Sequence, residues 1–435
     1  MIDREGRIDS ASGWGLIGER VSFAYRNRNA FLVLMVAAAV FKLSASALVP
    51  SSFELQEIIL MAIGREGGGG PWVAVENEMV LLWMWLTSST NLPFDWSRAV
   101  PFAKVNGEIS LLLVLSRLPA FLTDVASTLV LYLVVRSSSS AERARLAALV
   151  WFLNPYTIFA VELLAVPDIL AAFMTLVATL LVVYRKPVLS GALLGAGIAV
   201  KLYPVLLVPI FLIVCLPKVR RKWLFTVAYA AFISLGLIGY FSWASAAGAL
   251  PISALTTYSP TLQPMDSIFN TFPGARISLV TVVLVVTYAA TYLGARRRQL
   301  DVAIVVLATI LIYFSFSDPY PQYFLWPLPF LVFDLACSKR RGALLTMLVG
   351  LQLIDWFFIS DGFLTPSGYS LLLFALKGQN LGSYSLSIGM FLNQFGDFAV
   401  VIASTLLYAV SLIYALDVIR SWFISSGSVD YAFRG

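Results

Sequence analysis

The chain has 435 residues, 59% of them hydrophobic and 12% charged, with a formal net charge of +6 and no histidine. Soluble domains carry about 25% charged residues, so this composition excludes a soluble globular protein. The missing histidine also excludes Ser-His-Asp and Cys-His catalysis and His-built zinc or haem sites, leaving acid–base chemistry to carboxylates, Lys or Tyr.

In chain order, residues 1–30 form a polar, Arg-rich segment, read as cytoplasmic, and 31–49 form a first apolar span. Ser44-Ala-Ser-Ala47 resembles a signal-peptidase site, but the long polar stretch ahead of the apolar run and the span count below favour a retained helix. Residues 50–109 follow as a long outer loop carrying Glu54, Glu57, Glu66, Glu76, Glu78 and Asp95, with Glu108 at its edge. Trp72, Trp83, Trp85 and Trp96 predict interfacial helices within it. Its Gly67–Gly70 run is a break and not a phosphate cradle, because no strand or helix frames it. Further apolar runs predict spans at 110–135, 146–163, 166–184, 187–200, 203–217, 223–247, 276–295, 301–317, 322–337, 342–360 and 397–419.

The pattern predicts an all-α polytopic membrane protein of about 12 transmembrane helices. One transmembrane domain covers 31–420, and 421–435 is a cytoplasmic tail. With both termini inside, 22 of the 30 Lys and Arg residues fall on the cytoplasmic side, as the positive-inside rule requires. The positive charge is therefore an orientation signal and not a nucleic-acid footprint. Cys215 and Cys337 sit at span ends on that same side and form neither a disulfide framework nor a metal site.

Three constellations could carry chemistry. Glu54 and Glu57 are spaced to share a helix face; they serve either as a general base with its orienting partner or as charges capping a helix at the aqueous boundary. Arg117, Asp124, Glu162, Asp168 and Lys201 lie inside or at the edges of spans, where each charge costs roughly 2.5–3.5 kcal/mol and demands a partner or water. Arg117 and Asp124 share a face and read as a structural pairing with other helices, whereas Glu162 and Asp168 are placed near the outer surface, within reach of solvation. Lys201, at the break Lys201-Leu-Tyr-Pro204 and directed to the outer face, suits a phosphate. Finally, Tyr320, Gln322 and Tyr323 lie in an outer turn that enters a span, facing the bundle or a sugar, although an aromatic belt makes such clusters too.

Asn154-Pro155 followed by Asp168, Lys201-Leu-Tyr-Pro204, and Gln322-Tyr-Phe-Leu-Trp326 before a Pro-rich span, in that order, resemble the GT-C glycosyltransferases, as does Arg117-Leu-Pro119 with Asp124. Within that superfamily the likeness is to the GPI mannosyltransferase I catalytic subunit and its prokaryotic polyprenol-dependent relatives. It extends from span 1 to span 10 and leaves the last hundred residues uncovered.

The resemblance implies an inverting hexosyltransferase, with mannose the first expectation, that takes sugar from a polyprenyl-phosphate donor to a lipid or glycan acceptor outside the cytoplasm. Its base would be an acid of the first outer loop, assigned to Glu54 with Glu57 second. The family's Asp-x-Asp-like motif is replaced here by Glu-Leu-Gln-Glu, which leaves dependence on a divalent cation (Mg or Mn) open, and no metal ligand is assigned. Lys201, with Arg117 or Arg276, would stabilise the departing phosphate, and Tyr320, Gln322, Tyr323, Asn154 and Asp168 would contact sugar or lipid. Membrane lipids surround the chain, a partner subunit is compatible with it, and a prokaryotic plasma membrane is the expected location. The rival readings are a lipid or glycan transporter or flippase, and a non-catalytic subunit that keeps the fold but lacks the base.

Overall fold

A computed structural model describes residues 27–48, 107–163, 166, 168–219, 221–246, 279–297, 302–316, 321–337, 348–350, 405–417 and 419–420. Among these residues every regular element is helical. The elements are α1 (Arg28–Leu48), α2 (Gly107–Ser138), α3 (Ala141–Phe152), the single turn α4 (Pro155–Thr157) running into a π-helix at Ile158–Leu163, and α5 (Asp168–Val183). Next come α6 (Pro187–Val200), a 3₁₀ turn at Tyr203–Leu207, α7 (Val208–Cys215), a second 3₁₀ turn at Leu216–Lys218, and α8 (Lys222–Ala246). After them follow α9 (Leu279–Arg297), α10 (Val302–Phe316), a 3₁₀ turn at Pro321–Leu325, α11 (Leu328–Cys337) and α12 (Thr405–Asp417).

Among the described residues, three helical stretches, Arg28–Ser46, Arg117–Ser138 and Lys222–Ser242, are long and apolar enough to cross a membrane. A fourth is counted if α3 and Pro155–Glu162, bent by 42° at their junction, are one broken span. The remaining apolar helices are shorter, and each coincides with one of the runs predicted above. The chain thus has the helical, apolar character of a membrane protein. Val33, Val36, Leu235, Ile238, Val285 and Val286 on α1, α8 and α9 are exposed, which suits a hydrocarbon environment.

Burial separates the helices into a core and a shell. In α10, Val305, Val306, Leu307, Ala308, Ile310 and Leu311 are all buried, so apolar side chains face inward all round the helix, the pattern of a core helix. It packs against α5, α7, α9 and α11, while α2 packs against α1, α3, α5 and α11.

The tightest seam joins α6 to α8 and is made by glycine. A Cβ placed on Gly195 would lie 2.4 Å from the Phe232 carbonyl oxygen, and one on Gly236 would lie 2.2 Å from the Gly195 carbonyl oxygen. Gly191 faces Tyr229, Gly195 faces Phe232 and Gly236, and Ala199 faces Gly239; the numbers rise together, so α6 and α8 run parallel. Small residues repeated at four-residue spacing let two helices meet backbone to backbone without a hydrophobic driving force between them.

Gly195→Ala and Gly236→Ala should therefore each destabilise the purified protein by about 1–3 kcal/mol, the usual cost of overpacking. Gly239→Ala should be tolerated, since Ala199 Cβ is 3.5 Å away. Reversible unfolding in bicelles measures the three variants side by side.

Candidate functional site

Among the described residues, two groups of charged side chains lie inside the helical body, each assembled where a helix breaks. The first break follows α3. The sequence Asn154-Pro155 is an N-cap followed by an N1 proline, a start signal for a new helix, and Asn154 Oδ1 accepts the Tyr156 amide at 2.9 Å. Thr157 Oγ1, with one proton to give, lies 2.9 Å from the carbonyls of both Trp151 and Asn154, and the amides of Asn154 and Ile158 donate to those same oxygens, so the break leaves them satisfied. The chain then winds as a π-helix, a form concentrated at functional sites, and carries Glu162 into the interior.

There Lys42 of α1 meets two carboxylates. Its Nζ lies 2.6 Å from Asp124 Oδ2 and 3.1 Å from Glu162 Oε1, with all three side chains 0% exposed. The Phe152 ring covers the ammonium at 4.2 Å, a cation–π contact strengthened by the lack of water. Trp151 Nε1 donates to the other Asp124 oxygen at 2.7 Å. One turn along α1, Ser46 Oγ donates to the Glu162 carbonyl at 3.3 Å, and Arg117 donates to the Ser46 carbonyl. Two cationic and two carboxyl side chains thus balance inside one group.

The second group sits at the start of α5 and the break after α6. Asp168 opens α5, where a carboxylate is favoured by the helix dipole, and its Oδ1 accepts Trp326 Nε1 at 2.8 Å. Its Oδ2 lies 3.6 Å from Lys201 Nζ, a loose ion pair with no hydrogen bond to Oδ2. Lys201 adopts extended backbone at the end of α6, so its stem leaves the helix axis. The Trp326 ring stacks on Tyr203 at 3.9 Å and on Tyr323 at 4.3 Å between centroids, and Tyr203 shares a 3.1 Å hydrogen bond with Thr175.

Several expectations change. Glu162 and Asp168, placed near the surface and solvated, are instead 0% and 1% exposed, each with one carboxyl oxygen held by a protein donor and the other without a hydrogen bond. The π-helix and the packing of α1 and α11 over them are the reason. Lys201, directed to the outer face, is 7% exposed and turns to Asp168. Besides the break at Lys201, the described residues show breaks at Leu153–Asn154 and across Pro321–Pro327. Arg117, expected at the donor phosphate, donates to the Ser46 carbonyl beside the Lys42 group, and Asn154 caps the turn that starts at Pro155.

Glu54, Glu57, Arg276 and Tyr320 lie outside the described residues, as does the side chain of Gln322. Sequence reasoning missed Lys42 altogether. It also missed the buried Asp334, which accepts a hydrogen bond from Tyr414. Among the described residues no three Cys, Asp or Glu side chains gather as a metal site.

Breaking either group should cost stability in proportion to its burial. Asp124→Leu strands the Lys42 ammonium with one carboxylate and should cost about 3–5 kcal/mol, as broken buried pairs do. Trp326→Phe keeps the ring stack but removes the donor to Asp168, a loss of about 1.5–3 kcal/mol. Denaturant titration of the purified variants reads both.

No family model, curated protein or solved structure matches the chain.

Proposed function

We propose that the chain is an integral-membrane glycosyltransferase of about twelve spans that moves a hexose, mannose first, from a polyprenyl-phosphate donor to a lipid or glycan acceptor on the extracytoplasmic side. One observation carries the reading. Asp168, the Lys201-Leu-Tyr-Pro204 break and the Gln322-Tyr-Phe-Leu-Trp326 run, far apart in sequence, converge on one buried centre: Trp326 binds Asp168 across 158 positions and stacks on Tyr203 and Tyr323. These are three of the motifs on which the likeness to GT-C enzymes rests, Asn154-Pro155 and Arg117-Leu-Pro119 with Asp124 lying elsewhere, and a cation beside aromatic rings offers what a sugar phosphate needs.

The chemistry divides between two places. A carboxylate of the 50–109 segment, Glu54 or Glu57, takes the proton of the acceptor hydroxyl as its oxygen attacks the anomeric carbon from the face opposite the phosphate. The C–O bond to phosphate breaks with inversion, and the Lys201 ammonium stabilises the departing dianion. Asp168, 3.6 Å from the Lys201 ammonium, orients it for the phosphate. Tyr323, half-buried and stacked on Trp326, contacts the sugar or the first isoprene units.

A second reading has its own support. Three helix breaks and two buried charge groups are features of transporters, whose sites are built from discontinuous helices. Transfer and translocation are distinguishable in one experiment. Purified protein in lipid vesicles is given radiolabelled polyprenyl-phosphate mannose and a lipid acceptor extract, and both covalent transfer and movement of the donor between leaflets are followed. The glycosyltransferase reading expects label on the acceptor. Lys201→Met should lower kcat by about 10²–10³, the usual effect of losing one electrostatic stabiliser, and Glu54→Gln should lower it by about 10²–10⁴. Donor crossing the bilayer with no label on any acceptor would replace the enzyme by the transporter.

A further inference from the structure

The starting ends of α6 and α8 gather basic side chains that the chemistry above does not use. The glycine seam fixes how they meet. With Gly191 opposite Tyr229 and the two helices parallel, Lys186 at the head of α6 comes level with Leu224. Arg221-Lys222, at the head of α8, comes level with the turn that joins α5 to α6. Arg185, Lys186, Arg221 and Lys222 are all exposed there. Tyr184 and Trp223 are exposed beside them, and the apolar Leu189 and Val227 are exposed one turn further in. This order, from bare apolar flank through aromatic rings to cations, is that of a membrane interface. Both helix dipoles add positive potential at the same place. The patch is separate from the Asp168–Lys201 centre, because Lys201 stands at the opposite end of α6, roughly 20 Å away along the helix axis.

Basic residues at helix ends also serve as sidedness signals, but a sidedness signal needs no particular backbone conformation. Arg185 has one. Among the described residues it is the single non-glycine with positive φ, at 58°. It lies just past α5, where a Schellman closure favours glycine: its amide donates to the Val182 carbonyl at 3.1 Å, and the Lys186 amide donates to the Leu181 carbonyl at 2.7 Å. Keeping a bulky residue in the left-handed region is unfavourable, and such strain concentrates where a side chain is used. We propose that the heads of α6 and α8 form a seat for an acidic phospholipid. Arg185, Lys186, Arg221 and Lys222 hold its phosphate, and its acyl chains lie along Leu189, Trp223 and Val227. Charge complementarity selects the occupant: the cations attract an anionic headgroup, and the exposed apolar flank takes chains that a soluble phosphate lacks. The inference does not depend on the glycosyltransferase reading.

The test uses the full chain in phosphatidylcholine bicelles with phosphatidylglycerol as the minor component. Cys215 and Cys337 are replaced by Ala, and Ala230→Cys, exposed two turns into α8, carries a nitrobenzoxadiazole fluorophore. One lipid or the other carries a nitroxide quencher high on its acyl chain. At equal mole fraction of label, the ratio of quenching by phosphatidylglycerol to quenching by phosphatidylcholine measures enrichment at the seat. Enrichment should be at least about tenfold at low salt and fall about two- to fivefold for each of Lys186→Gln, Arg221→Gln and Lys222→Gln, the effect of one basic residue beside acidic lipid. High salt should weaken it. Arg185→Gly is the sharpest arm, because glycine relieves the left-handed backbone: the unfolding temperature should hold or rise while enrichment falls. Should the substitutions to Gln impair folding, Arg185→Gly decides alone. A wild-type ratio within about twofold of one, or a ratio that survives substitution of all four basic residues, would overturn the proposal. So would a lower unfolding temperature with unchanged enrichment in Arg185→Gly, which would make the arginine structural. Loss of enrichment on adding inorganic phosphate at constant ionic strength would overturn it too, by making the occupant a soluble anion.

Discussion

An ammonium removed from water must be answered where it stands. Lys42, with no exposed surface, is answered by two carboxylates, the face of Phe152 and, through Asp124, the indole of Trp151. Its partners come from α2 and from the π-helical segment, and neither lies near it in sequence. A charge in hydrocarbon costs several kcal/mol unless paired, so α1 has one seating on the bundle in which that cost is met. Much of the apolar surface of α1 remains exposed and could pack in many ways. The ion group selects one of them.

The helix breaks obey the same accounting of polar groups. Backbone that leaves the α-helix at membrane depth is tolerated only where protein or water satisfies it. At Leu153–Asn154 the satisfaction is local, through Asn154 and Thr157. At the break after α6 it comes from a distance, as Tyr288 on α9 donates to the Leu206 carbonyl at 2.7 Å. At Pro321–Pro327 the Trp326 amide returns to the Tyr323 carbonyl, and its indole reaches Asp168. The breaks turn Glu162, Lys201 and Trp326 off the regular helical path into shared space. The polar chemistry of the interior is thus a by-product of interrupted helices.

This division explains what could be read from the chain. Apolar runs of helical length are a property of local composition, and each described helix coincides with a predicted run. The Lys201-Leu-Tyr-Pro204 interruption was legible because proline and a charge announce it. Lys42 was not, because a single lysine near the end of an apolar run looks like a boundary charge, and its partners stand 82 and 120 positions away. Glu162 and Asp168 were misjudged because the π-helix that turns Glu162 inward has no sequence signal comparable to proline. The Gly191-x₃-Gly195 spacing was not read as a packing motif, and which helix it meets is fixed only by tertiary structure. The proposed catalytic acids belong to a segment that the described residues do not include, and there the sequence remains the sole guide.

The parallel seam between α6 and α8 constrains the chain that joins them. Two neighbouring helices that run in the same direction begin on the same side, so everything between Lys201 and Arg221 must return the chain across the full depth of the bundle. The returning segment, Tyr203–Lys218, is short, and as pure α-helix it would reach roughly 24 Å. Its two 3₁₀ turns, at Tyr203–Leu207 and Leu216–Lys218, rise faster per residue and stretch it to roughly 28 Å, close to the roughly 30 Å of a hydrocarbon core. Tighter winding therefore lets too few residues span the distance, and it delivers Arg185-Lys186 and Arg221-Lys222 to one face, the arrangement that a sidedness signal written in basic residues requires.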